Sequence, residues 1–147
     1  MKLLLVNGPN LNLLGTREPE KYGKTTLQDI EKQMTQKASL DQHSLLCFQS
    51  NSEGALIDFI HNEAKTSKAM ILNPGAYTHT SIALRDAILS VALPFIEVHI
   101  TNVYQREAFR HHSYFKDIAI GQIIGLGIDG YFLAYQALAS KLQRGEL

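Results

Sequence analysis

The stretch KLLLVNGPNLNLLG, residues 2–15, decides how the rest of the chain is read. Leu3, Leu4, Leu5 and Val6 form an apolar run without the polar alternation of a half-exposed strand, so the spacing predicts a strand over 2–7 that is buried on both faces. Asn7-Gly8-Pro9-Asn10 then stops it, because glycine, proline and asparagine favour bends over a continuing ladder. From Asn7 through TREPEKYG, residues 16–23, the chain then runs on with no helical or strand period. Connections in compact α/β domains usually take about 2 to 6 residues. A long loop rich in Arg17, Glu18, Glu20, Lys21 and Tyr22 therefore raises the question of what it is for.

Working outward, short runs rich in Leu, Ile and Val recur at 44–49, 68–73, 94–100 and 118–124, and each is expected to be a fully buried strand. Amphipathic segments lie between them. Residues 25–39 place Leu27, Ile30 and Met34 on one helical face, and 53–66 do the same with Leu56, Ile57, Ile60 and Ala64, capped by Asn51 or Ser52. Further helices are expected over 80–91, with Ile82, Ala83, Ala87 and Ile88 inward, and over 127–142, with Phe132, Leu133 and Leu138 inward. Strand alternating with helix predicts an α/β fold with helices on both faces of a parallel sheet. Five such strands point to a three-layer flavodoxin-like architecture, strand order 2-1-3-4-5, in one domain spanning 1–147.

Composition narrows the function. Fourteen basic residues balance fourteen acidic ones, so no charge excess argues for nucleic acid or an anionic membrane. No segment approaches the roughly 20 apolar residues that span a bilayer, and the apolar run after Lys2 is too short for a signal peptide. The single cysteine, Cys47, lies in an apolar run and is expected to be a small buried hydrophobe. A cytoplasmic protein is the expectation.

In open parallel sheets ligands bind beyond the carboxyl ends of the strands where the strand order reverses, here between the first and third strands. The loops at that end carry Asn10, then Asn73 and His79, then His99, Ile100 and Thr101, then Arg106 and Arg110. Gly125-Leu-Gly127-Ile-Asp-Gly130 matches G-x-G-x-x-G, but that fingerprint belongs on the first strand–helix unit with a later acidic strand end for the ribose. It is read instead as a turn allowing strand and helix to approach closely. Among six histidines, His43 and His61 read as surface residues, and adjacent His111 and His112 point apart, so no metal is expected. Either His79 or His99 could equally be structural or functional by position alone.

Arg17 and Tyr22 are paired in the long loop. A tyrosine is a useful base only if its pKa of about 10 is pulled down, and a nearby guanidinium can do so. The residues by themselves leave two classes open. One is a cofactor-free lyase or isomerase using general acid and base groups on a small anionic substrate. The other is a flavodoxin-like small-ligand binding module for a phosphate or flavin, with the Asn- and Gly-rich loops as cradle. A signalling receiver domain is set aside, since the first strand has no following acidic pair and the third ends in Asn73.

Several separated motifs together resemble type II 3-dehydroquinate dehydratase: Gly8-Pro-Asn-Leu-Asn-Leu-Leu-Gly15, Arg17-Glu-Pro19 with Tyr22-Gly23, and Gln49-Ser-Asn51 with Glu53-Gly54. Asn73-Pro-Gly-Ala-Tyr-Thr-His79-Thr-Ser81, Glu97-Val-His99 and Phe109-Arg-His-His-Ser-Tyr114 complete the set. They follow one another in order over nearly the whole chain. The resemblance implies anti elimination of water from 3-dehydroquinate to 3-dehydroshikimate in the shikimate pathway, without metal, imine or other cofactor. It also implies a homododecamer built as four trimers. Matched positions make Tyr22 the base at carbon 2, His99 the acid for the departing hydroxyl, Arg17 its companion on a lid, and Asn10 a holder of the enolate-stabilising water. Asn73, His79 and Arg110 are implied to bind ring hydroxyls, and Asp86 to reach across a subunit interface. Ile100 and Thr101 are implied to hold the carboxylate; Thr101 stands where the family has Ser, and keeps the hydroxyl and N–H. Glu97, on the same strand face as His99, is implied to support the imidazole from behind.

Overall fold

A computed structural model describes residues 1–16, 20 and 23–147. Its strands are β1 (Lys2–Asn7), β2 (Ser44–Gln49), β3 (Ala69–Asn73), β4 (Phe95–His99) and β5 (Gly121–Ile124), all parallel in the order β2-β1-β3-β4-β5. The helices are α1 (Leu27–Leu40), α2 (Glu53–Glu63), α3 (Ile82–Val91) and α4 (Asp129–Gln143). The flavodoxin-like α/β architecture and its strand order are therefore as the hydrophobic runs predict.

Alternation along the central strands explains why they read as unbroken apolar runs. Leu3 and Leu5 of β1 pack with Ile30, Met34, Tyr131 and Leu138 of α1 and α4, whereas Leu4 and Val6 pack with Leu56, Ile60, Leu84 and Ile88 of α2 and α3. Each buried Leu or Ile contributes about 1.5–3 kcal/mol relative to exposure, so both faces of β1 anchor the sheet. β2 and β5 depart from the expectation of full burial. As edge strands they have a neighbour on one side only, and Leu46 is 38 % exposed. Cys47, on β2, is only partly buried, although burial still pushes its thiol up to about 11, which keeps it uncharged.

Helix ends follow local chemistry. Thr26 caps α1 through a reciprocal pair of bonds with Asp29, and Ser52, one of the two expected candidates, caps α2 by accepting from the Ala55 N–H. The inward faces of α3 and α4 differ from expectation. On α3 Leu84, Ala87 and Ile88 are buried while Ile82 is 54 % exposed; on α4 Tyr131, Ala134, Tyr135, Leu138 and Leu142 face inward and Leu133 does not. Both helices are apolar around much of their circumference, so sequence periodicity alone could not choose the face.

Two features bring loops together at the carboxyl edge. The Gly8 N–H donates to the Asn73 carbonyl at 2.8 Å, and a Cβ at Gly8 would lie 2.3 Å from the Pro74 carbonyl oxygen. Only glycine allows the loops after β1 and β3 to touch there. The expectation of an entirely irregular stretch after β1 is also corrected, since Leu11–Leu13 form a 3-10 turn led by Asn10 at φ 70°.

Candidate active site

Beyond the ends of β1, β3 and β4 lies a cleft of about 230 Å³, lined by Asn10, Asn73, His79, His99, Thr101 and Arg110 among others. It sits at the predicted reversal of strand order. Asn10, Asn73, His79, His99, Ile100, Thr101 and Arg110 are thus brought together. Asp86 is not among them: it is exposed on α3 and does not line the cleft. Arg17 and Tyr22 lie outside the described residues.

β4 supplies the centre of the site. Its period of two puts Glu97 and His99 on one face, and the His99 Nε2 lies 2.5 Å from Glu97 Oε2. Glu97 has no solvent exposure, and His99 is 7 % exposed. Burial by itself would raise the Glu97 carboxyl, but hydrogen bonds from His99, Ser113 and Thr78 together with the imidazole's charge outweigh it and hold the group below the usual glutamate range. An ionised carboxylate can only accept, so Nε2 carries the hydrogen, and Nδ1 is the nitrogen left for chemistry.

The carboxylate is held from two further loops. Thr78 Oγ1 donates to Glu97 Oε2 at 3.0 Å, and Ser113 Oγ lies 2.8 and 2.9 Å from the two carboxylate oxygens. The same loops are tied to each other by the Tyr114 N–H on the Thr78 carbonyl and by His79 Nδ1 on the His112 carbonyl at 2.7 Å. A carbonyl only accepts, so His79 Nδ1 is protonated and Nε2 is its free nitrogen. Burial lowers the His79 pKa, favouring the neutral ring.

Asn73, 3 % exposed, has its side chain fixed at both ends. Its Oδ1 accepts from the Gly75 N–H, its Nδ2 donates to the Tyr131 hydroxyl at 2.8 Å, and that hydroxyl donates to Asn7 Oδ1 at 2.6 Å. Also lining the cleft, Arg106 Nη1 donates to Thr101 Oγ1 at 3.3 Å, and Arg110 Nε is held by Glu107 at 2.6 Å. Thr78, Ser113, Tyr131 and Arg106 received no role from the sequence. Thr78 and Ser113 stand inside motifs already singled out, one next to His79 and one beyond His112, and a hydroxyl beside a candidate group was the available signal. Tyr131 gave none, since its partners are 58 and 124 residues away.

Gly125 and Gly127 behave as the close-approach reading requires. Their N–H groups donate to the carbonyls of His99 and Ile100, each at 3.0 Å, and both have positive φ. The turn thus clamps the end of β4 and has no free N–H at these positions for a phosphate. Among the described residues no group of three or more His, Cys, Asp or Glu is arranged to hold a metal ion, and no helix is long and apolar enough to cross a membrane.

Comparison with known proteins agrees with this geometry. Residues 1–139 match the family model described as dehydroquinase class II. A 3-dehydroquinate dehydratase of Histophilus somni is 55% identical over 143 residues, covering 97% of this chain and 95% of that protein. A catabolic 3-dehydroquinase of Emericella nidulans is 58% identical over 137 residues, covering 93% and 90%. The crystal structure of a type II dehydroquinase from Butyrivibrio crossotus superposes with a TM-score of 0.89 at 44% identity, covering 94% of this chain and 97% of that one. Nothing in these matches favours a flavodoxin-like binding module.

Proposed function

We propose, starting from the fact that this chain belongs to the type II dehydroquinase family, that it is a hydro-lyase converting 3-dehydroquinate to 3-dehydroshikimate. The observation that carries the reading is the buried Glu97–His99 pair opening on a cleft whose walls hold Asn73, His79, Thr101 and Arg110. That cleft offers hydrogen-bonding groups for ring hydroxyls, and at Ile100 and Thr101 it has N–H and hydroxyl groups suited to a carboxylate.

In this mechanism Tyr22, as tyrosinate favoured by Arg17, removes a proton from carbon 2 beside the ketone. The electron pair moves to the ketone oxygen, and a water held by Asn10 donates to the resulting enolate. The enolate then reforms the ketone as the carbon 1 hydroxyl leaves, taking a proton from His99 Nδ1 and departing as water. Glu97 keeps the opposite ring nitrogen occupied and stabilises the imidazolium beforehand. Arg110, Asn73 and His79 orient the ring, and the Ile100 N–H with the Thr101 N–H and hydroxyl holds the carboxylate. No metal or organic cofactor enters.

Assembly and location belong to the same reading. The outer face of α3 carries Ile82, Asp86 and Leu89 at helical spacing, with Ile82 54 % and Leu89 50 % exposed. An apolar stripe around a carboxylate supports a subunit contact that presents Asp86 to a neighbouring cleft, within a dodecamer of four trimers. The chain acts as one catalytic domain in the cytoplasm, on the shikimate route to aromatic compounds. The test is an ultraviolet assay for the conjugated enone formed from 3-dehydroquinate, with no cofactor added and a chelator present. Rising absorbance is expected, and its absence with folded protein would reject the activity.

A further inference from the structure

We propose that the hydroxyls of Thr78 and Ser113 are positioning groups for the His99 acid, holding the Glu97 carboxylate ionised and oriented so that Nδ1 is presented to the leaving hydroxyl. The inference rests on the proposed dehydration, and it assigns work to two residues that touch no substrate.

The geometry supports it in three ways. Thr78 is 1 % exposed, Ser113 8 % and Glu97 wholly buried, so water does not substitute for the hydroxyls. Ser113 is itself aimed: the Phe115 N–H donates to its Oγ at 3.0 Å, which leaves the hydroxyl hydrogen for Glu97. Thr78 and Ser113 lie 3.0 Å apart, on loops tied at two more places, so the donors arrive as one rigid unit. Three donors on one carboxylate, from His99, Thr78 and Ser113, are more than orienting an imidazole requires.

The surplus bears on where a proton resides. When His99 is doubly protonated, its Nε2 proton can pass to Glu97, leaving a neutral ring whose Nδ1–H is a far weaker acid. Hydroxyl donors stabilise the carboxylate against that transfer. Losing one should lower the fraction of imidazolium while raising the proton affinity of the pair as a whole, because the form with the proton on Glu97 becomes accessible. The titratable and charged groups facing the pair are His79, its ring neutral, from the turn after β3 and Arg110 from the loop after β4, with Arg106 on the same cleft. None of the three substitutions below replaces any of them.

The decisive comparison is Thr78→Val, which keeps the shape and removes the hydroxyl, against Thr78→Ser, which restores it; Ser113→Ala provides an independent deletion. Thr78→Val and Ser113→Ala should each lower kcat roughly tenfold, leave KM within about threefold, and move the alkaline limb of the kcat profile up by roughly 0.5 to 1 pH unit. Thr78→Ser should return both quantities most of the way. A fall in kcat with an unmoved limb and no recovery in Thr78→Ser would reduce the hydroxyls to structural supports and overturn the proposal. An NMR titration of the His99 ring, in wild type and both deletions, reads the pair without turnover. Wild type lacking dehydratase activity would reject the proposed function, whereas identical His99 titrations in wild type and the deletions would overturn this inference alone.

Discussion

At position 97 a carboxylate lies wholly out of solvent, a placement that costs several kcal/mol unless the group is paired and hydrogen-bonded. Its donors reverse that cost, and the direction of its pKa turns it into a pH-dependent contribution to stability. Because the folded-state pKa is depressed, this contribution is fully present above the ordinary glutamate value of 4.5 and is lost as pH falls through the lower folded value. Glu97→Gln should therefore flatten the acid side of a thermal-denaturation profile, a difference measurable by calorimetry between pH 3 and pH 6, by order of magnitude. The same change should cut kcat by roughly 100-fold, since general acid catalysis is worth about 10² to 10⁴. For Tyr22→Phe near-complete loss of turnover is expected with an unchanged circular dichroism spectrum; retention of most activity would remove Tyr22 as the base. In His99→Ala, exchange of the carbon 2 proton should outlast loss of water, and the reverse in an isotope-exchange assay would overturn the acid assignment.

Elements matter here chiefly through their ends. β1 and β3 deliver Asn10 and Asn73 to one cleft because Gly8 lets the following loops meet, whereas a methyl group there would press directly on the Pro74 carbonyl. Gly8→Ala should cost about 2 kcal/mol or more in chemical denaturation and lower kcat/KM, since Pro9 and Asn10 must shift as well. Thr26→Ala offers a contrast at an element end remote from the chemistry. It removes the hydroxyl that accepts from the Asp29 N–H, leaving the backbone N–H bond to the Asp29 carboxylate in place, and should cost about 1 kcal/mol, with kcat/KM of the folded enzyme within about twofold. A parallel loss of activity would mean that α1 is coupled to the cleft.

For the molecule as a whole, the two core layers account for its inner faces but leave Ile82 and Leu89 uncovered on α3. Placing a charge in that stripe should oppose association more than folding. Leu89→Lys is expected to shift sedimentation velocity toward smaller species and to reduce kcat/KM at least about tenfold if Asp86 completes a neighbour's site. An unchanged sedimentation profile would move the subunit contact elsewhere.

What the sequence determined by itself was the fold class and the chemistry on offer. Unbroken apolar runs such as Leu3–Val6 are legible because central parallel strands are buried on both faces, and His99 and Asn73 are legible because loops at the carboxyl edge converge in such sheets. The inward faces of α3 and α4 and the partial exposure of β2 were not, because burial there depends on which neighbour covers an already apolar surface. Nor could local spacing reveal that Tyr131 holds Asn73, or that Thr78 and Ser113 meet on Glu97. Those contacts join residues far apart in the chain, and only the packing of loops over β4 brings their short-range hydrogen bonds into reach.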